Sequence, residues 1–270
     1  MRNRPTVSQL RERALELVEE DPEQSQHLAR EAVRRQPDAE SHYVLGIVLC
    51  DTDSTDEGIA ALRTAVELEP THAEAWVALG REWFDSLLLE EAREALRAAL
   101  RVDNHHPEAL YYRACLRERR GDYDGAARDY QAAALVDGDA FPIPEMLDDE
   151  AIEAAAEQVI RSLHPSLQKY LENVAILVEE VPDTELLQQF VPPAHPLEVL
   201  GCFAGHALTE RSTLDAWSTL PATIVLFRRN LMRMAHDREA MQEELRVTLL
   251  HEIGHFLGLD EEDLERRGLD

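Results

Sequence analysis

The sequence has 270 residues, with 54 Asp and Glu against 27 Lys and Arg and a formal net charge of −27. Such a field repels phosphate backbones and anionic headgroups, which argues against nucleic acid and membrane surfaces as partners. A charged fraction of 30% leaves no apolar run long enough for a membrane helix, and the start Met1-Arg2-Asn3-Arg4-Pro5 lacks a secretory apolar core, so a cytoplasmic chain is expected. Cys50, Cys115 and Cys202 are too few and too widely spaced for a disulfide framework or a multi-Cys zinc site, and they read as reduced core thiols.

In chain order, residues 7–20 and 23–35 carry helical periodicity ending at Pro37, as expected of one degenerate helical pair capping an array. Residues 39–70, 73–104 and 107–138 then align at a spacing of 34 with no gaps. Gly58, Ala92 and Ala126 coincide, as do Leu62, Leu96 and Tyr130, and Ala65, Ala99 and Ala133. Leu45-Gly46 falls on Leu79-Gly80 and loosely on Arg113-Ala114. Turn-forming breaks at residues 53–56 and 120–122 split these units into two helices, so residues 1–138 are predicted to form an all-α solenoid of helical hairpins. The array resembles the tetratricopeptide repeat family, with Trp76, Leu79, Gly80, Trp83, Ala92, Leu96 and Ala99 at its signature positions. That resemblance implies a concave groove lined by Tyr43, Ile47 and Cys50, then Val77, Arg81 and Phe84, then Tyr111, Cys115 and Glu118. It holds no basic cluster of the kind that grips a C-terminal carboxylate, and a protein or peptide partner is expected there.

The period stops after Gly138. Pro142 and Pro144 block helix continuation, which makes residues 139–147 a linker and residues 148–270 a second domain. A helix is predicted over residues 148–163, strands over 174–178, 197–204 and 223–228, and loops over 191–196 and 209–220, together a small α+β fold.

The last long helix is predicted to run from Asp237 or Arg238 to Leu257, stopping at Gly258, and it contains His251-Glu252-Ile253-Gly254-His255. On a wheel of ~100° per residue with His251 at zero, His255 falls near ~40° and Glu252 near ~100°. Leu249, Leu250, Ile253, Phe256 and Leu257 occupy about 140° to 260°, the opposite face. Two imidazoles one turn apart can share one Zn²⁺ while the carboxylate between them stays unligated as a general base. A third ligand is then required. Glu261, three residues past the glycine, is the first choice, with Asp260, Glu262 and Asp263 left open; the same acidic run also suits the cap of a short helix over 261–267.

Residues 150–270 resemble the minimal zincin-like metallopeptidases, through residues 172–182, 224–229 and 245–264. The resemblance implies one zinc per chain held by His251, His255 and Glu261, in place of the family's usual aspartate, with Glu252 as base. It nominates residues 224–228 as the edge strand along which a peptide lies, and His206, His236, Arg228 and Tyr170 are candidate donors to the oxyanion. Thr248 lies one turn before the motif on the same face. The expected function is a zinc-dependent peptidase whose repeats recruit a protein substrate or partner. The alternatives are a non-catalytic adaptor on a zincin-like scaffold, and a purely structural zinc site, which lacks a fourth Cys or His after His255.

Overall fold

The computed structural model describes residues 4–144, 149–172, 174–204, 222–234 and 238–266, without the side chains of residues 149, 166, 167, 170, 238, 261 and 265. Two compact units, Met1–Ile143 and Pro144–Asp270, divide the chain.

The first unit is helical. The pair α1 (Val7–Glu16) and α2 (Pro22–Arg35) precedes three hairpins: α3 (Ala39–Cys50) with α4 (Thr55–Leu68), α5 (Ala73–Asp85) with α6 (Leu89–Val102), and α7 (Pro107–Glu118) with α8 (Tyr123–Val136). Helix starts recur at 34 residues because the capping residues do. The side chains of Asp38, His72 and His106 each accept a hydrogen bond from the backbone N–H three residues on, at 2.9, 3.3 and 3.4 Å. Within the first two hairpins the helices approach so closely that a Cβ added at Gly46 or Gly80 would sit 2.5 or 2.7 Å from Leu62 or Leu96. The large Leu of one helix therefore needs the bare backbone of the other.

The second unit places a three-stranded sheet against helices. Its elements are α9 (Asp149–Ser162), α10 (Pro165–Leu171), β1 (Val174–Glu179), α11 (Thr184–Leu187), β2 (Gly201–Ala204), β3 (Ala222–Phe227), α12 (Arg228–Met234), α13 (Arg238–Leu257) and α14 (Glu261–Glu265). Strand order is β1-β3-β2, with β1 parallel and β2 antiparallel to β3. Ile152 and Ala156 of α9, Ile224 and Leu226 of β3, and Leu245, Leu249 and Ile253 of α13 share one buried core.

Three helices depart from the sequence expectation. Pro165 opens α10, a helix the sequence expectation does not include, because proline's fixed φ suits the first helical position. The four-residue α11 is too short to show a period, and is marked by the Asp183 cap on the Leu186 N–H. Helix α12 starts at Arg228, the expected last residue of a strand, and residues 197–200 lie outside the expected long β2. The predicted loop over 209–220 lies outside the described residues.

The groove assignment needs correction. Val77 and Phe84 are 1% and 0% exposed, and Cys115 and Glu118 are likewise buried, so they are core and cannot meet a partner. The Phe84 ring packs edge-on against Tyr112, and Tyr130 donates from its hydroxyl to Glu118 at 3.0 Å. Tyr43, Ile47, Arg81 and Tyr111 keep partial exposure. Tyr43 lies against His72, Arg81 bridges Glu82 and Glu108, and Tyr111 is partly covered by Phe141.

Each hairpin also turns through one residue with positive φ, at Asp53, Leu87 and Gly121, again 34 apart. Only Gly121 adopts this conformation without Cβ strain. An added Cβ there would meet nothing within 4 Å, so substitution tests backbone conformation alone. Gly121→Ala is expected to lower unfolding stability by ~1–2 kcal/mol, and Gly121→Asn by less, measured by denaturant titration.

Candidate functional site

Rotation of α13 about its axis is set by its apolar face. Leu249, Ile253 and Phe256 are at most 3% exposed in the core, and the Phe256 ring lies 5.8 Å from that of Phe203 on β2. The opposite face therefore presents His251 and His255, both half-buried, with ring centroids 4.6 Å apart and planes at 82°. Their Nε2 atoms stand 3.0 Å apart. Two nitrogens bound to zinc at ~2.0–2.1 Å in a tetrahedron are about 3.3 Å apart, so the separation of the two Nε2 atoms is close to that of two ligands of one ion. His255 Nδ1 lies 3.3 Å from the Leu259 carbonyl oxygen; donation there leaves the Nε2 lone pair facing outward, as a metal ligand requires. Glu252, between the two, is 6% exposed. Two imidazoles one helical turn apart supply two of the three protein ligands that a catalytic zinc takes.

Past the helix the chain doubles back. Gly258 takes φ 88°, a left-handed conformation, and the Leu259 N–H donates to the Gly254 carbonyl at 3.0 Å. Leu264 of α14 is fully buried and packs on Gly254, where an added Cβ would lie 2.4 Å from it. A glycine inside the motif thus lets α14 fold onto the same turn of α13 that carries the histidines. Asp260 caps α14, accepting from the Asp263 N–H at 2.9 Å, while Asp263 pairs with Arg266 and Glu262 is exposed. Glu261 is the first residue of α14, and its side chain lies outside the described residues. Among the described residues no group of three His, Cys, Asp or Glu is positioned to hold a metal.

The histidines and Glu252 line a cleft of about 610 Å³. Its other walls are residues 198–203, Phe190, and Glu244, Val247 and Thr248 of α13. The sequence pattern does not single out residues 198–203 as facing the motif, although Gly201 interrupting an apolar run marks a close backbone approach. A Cβ at Gly201 would lie 2.9 Å from Thr248 Cγ2, 3.0 Å from the Val225 carbonyl and 3.4 Å from Glu252 Cγ. Thr248 is accordingly a buried packing residue of this seam. Asn230, fully buried, donates its side-chain amide to the carbonyls of Pro196 and Val199 and so ties the segment entering β2 to α12. Burial, then the negative charge of Glu252, pushes the Cys202 thiol up to about 11.

Two expectations are corrected here. Residues 224–227 belong to β3, which is paired on both sides and has no free backbone for a peptide; β2, paired on one side among the described residues, is the edge beside the cleft. Arg228 is bound to the Glu180 carboxylate, together with Arg229, and does not line the cleft. His206 and His236, and the side chain of Tyr170, lie outside the described residues.

Residues 171–269 match the family described as zincin-like metallopeptidase. The match finds a zincin-like domain in this segment. Residues 84–142 match the tetratricopeptide repeat. Two crystal structures of MamA are similar to the chain at 21% identity, with TM-scores of 0.43 and 0.41. The first covers 48% of this chain and 77% of its own, the second 53% and 80%. No curated protein matches.

The packing of the zincin-like domain's β2 on α13 is directly testable. Gly201→Ala forces Thr248 or the β3 carbonyl to move and is expected to cost ~1–3 kcal/mol of unfolding free energy in denaturant titrations. A stability equal to that of the unmodified protein would contradict the close seam.

Proposed function

We propose that residues 148–270 are a zinc-dependent peptidase and that the repeats of residues 1–138 recruit its protein substrate or partner across the linker 139–147. The carrying observation is the 3.0 Å convergence of the His251 and His255 Nε2 atoms beside buried Glu252. His251, His255 and Glu261, the first residue of α14, would hold one zinc. A zinc ion held there would supply Lewis acidity toward a water and a peptide carbonyl. Glu252, the buried carboxylate between the two histidines, would accept a proton as general base and return it to the departing amine.

Substrate binding draws on the cleft walls. The open edge of β2 offers backbone groups to an extended peptide, and Phe190, Val199, Leu200, Phe203 and Val247 offer apolar surface to its side chains. In the repeats, Tyr43, Ile47, Arg81 and Tyr111 retain exposure for a bound protein or peptide segment. A cytoplasmic setting agrees with three free cysteines, and among the described residues no helix is long and apolar enough to cross a membrane.

Zinc content and cleavage of a quenched-peptide library, measured on the unmodified chain and on Glu252→Gln, test the reading. Both are expected to retain about one zinc per chain, with kcat/KM falling ~10²–10⁴-fold in the variant. Zinc in both without cleavage by either would favour the adaptor. Glu261→Ala is expected to weaken zinc retention, whereas Asp260→Asn, which keeps the α14 cap, is not; the reverse pattern moves the third ligand to Asp260.

A further inference from the structure

The repeat unit contains a second cleft, of about 680 Å³, that its 34-residue pattern does not account for. Arg93, Arg97 and Arg101 enter it from α6, and Arg113, Arg117 and Arg120 from α7 and the turn beyond. Asp122, 3.6 Å from Arg117, is the one acidic residue among its described lining, while Arg93 pairs with Glu90 and Glu94 and Arg97 with Glu94 on the same helix. The floor is apolar, formed by Leu96, Leu100 and Leu116.

The repeat register shows how this cleft arose. Arg113 stands where the earlier units have Leu45 and Leu79, Arg117 where they have Leu49 and Trp83, and Asp129 where they have Ala61 and Ala95. An apolar packing set has become an ionic one. Arg113 donates from Nε and from an Nη to the two oxygens of Asp129, both at 2.7 Å, and Arg117 lies 3.0 Å from the same carboxylate. Asp129 is 4% exposed. Both arginine side chains stay about a third exposed, at 34% and 32%, so the exchange gives up apolar packing for charge that faces the cleft. The buried carboxylate offsets only one of the two guanidiniums it holds, and both line the cleft. Arg101 and Arg120 are exposed and make no ion pair among the described residues. On α7, Tyr111 lies about 160° around the helix from Arg113, so this cleft is distinct from the surface that Tyr111 offers.

We propose that the cleft docks a short acidic peptide segment of a partner protein, its carboxylates on the guanidiniums and an apolar side chain on the leucine floor. Guanidiniums bind carboxylates as planar, bidentate pairs, and a leucine floor rewards an apolar group between them. A long polyanion is disfavoured: beyond a screening length of about 8 Å it would run over the acidic remainder of the molecule. The cleft lies within the repeat unit, and its occupancy does not require catalysis.

Calorimetric titration of the full chain with acetyl-Leu-Glu-Glu-Leu-Glu-Glu-Leu-amide, beside the same peptide with every Glu replaced by Gln, tests this. Arg101→Gln/Arg120→Gln removes the two exposed guanidiniums that make no ion pair among the described residues and leaves the Asp129 triad intact, with single Arg101→Gln as the milder variant. The acidic peptide is expected to bind, at least tenfold more weakly in the double variant and more weakly in added salt, while the Gln peptide does not bind. No binding by the acidic peptide, equal binding by the Gln peptide, or undiminished binding in both variants would overturn the proposal. Complete displacement by millimolar inorganic phosphate would overturn it in favour of a small-anion site.

Discussion

Burial of Leu249, Ile253 and Phe256 against the sheet fixes how α13 is turned, and that rotation alone aims both histidines into the cleft. A helix places residues four apart on one side, but which side faces solvent is decided by where the apolar residues go. The core of the zincin-like domain and its candidate site are therefore two faces of a single packing arrangement. The same dependence reaches Gly201 and Gly254, whose missing side chains let β2 and α14 close on the motif from different directions.

The repeat unit is built on a different principle. Its hairpins reuse one set of caps and one positive-φ turn position every 34 residues, and the first two share one helix-to-helix contact, so each unit is specified locally and stabilised by its neighbours. Against so regular a background, departures carry information. The exchange of Leu, Trp and Ala for Arg113, Arg117 and Asp129 converts a packing contact into a charged one, and it does so beside three further arginines on α6. Regularity in a solenoid serves stability, while a local break in it leaves room for recognition.

Much of this is legible in the sequence, for identifiable reasons. The 34-residue period appears as recurrent Gly and Ala because small residues are required wherever helices touch. The end of the motif helix at Gly258 is readable because apolar periodicity and a glycine stop are local signals. Side-chain exposure in the repeats is not legible: Val77 and Phe84 look like groove residues by register, yet neighbouring helices cover them. Helix α10 goes unread and the start of α12 looks like the end of a strand, since a short helix offers too few turns to show a period.

Local chemistry is thus set along the chain: helix periods, caps, turn residues, and a histidine pair spaced to face one way. Three-dimensional packing settled which strand lies at the sheet edge, which arginines are engaged by Glu180, and which residues wall each cleft. The physical reason is range. Hydrogen bonds three or four residues apart are written in adjacent letters, whereas a cleft forms between segments tens of residues distant whose contacts no local pattern encodes.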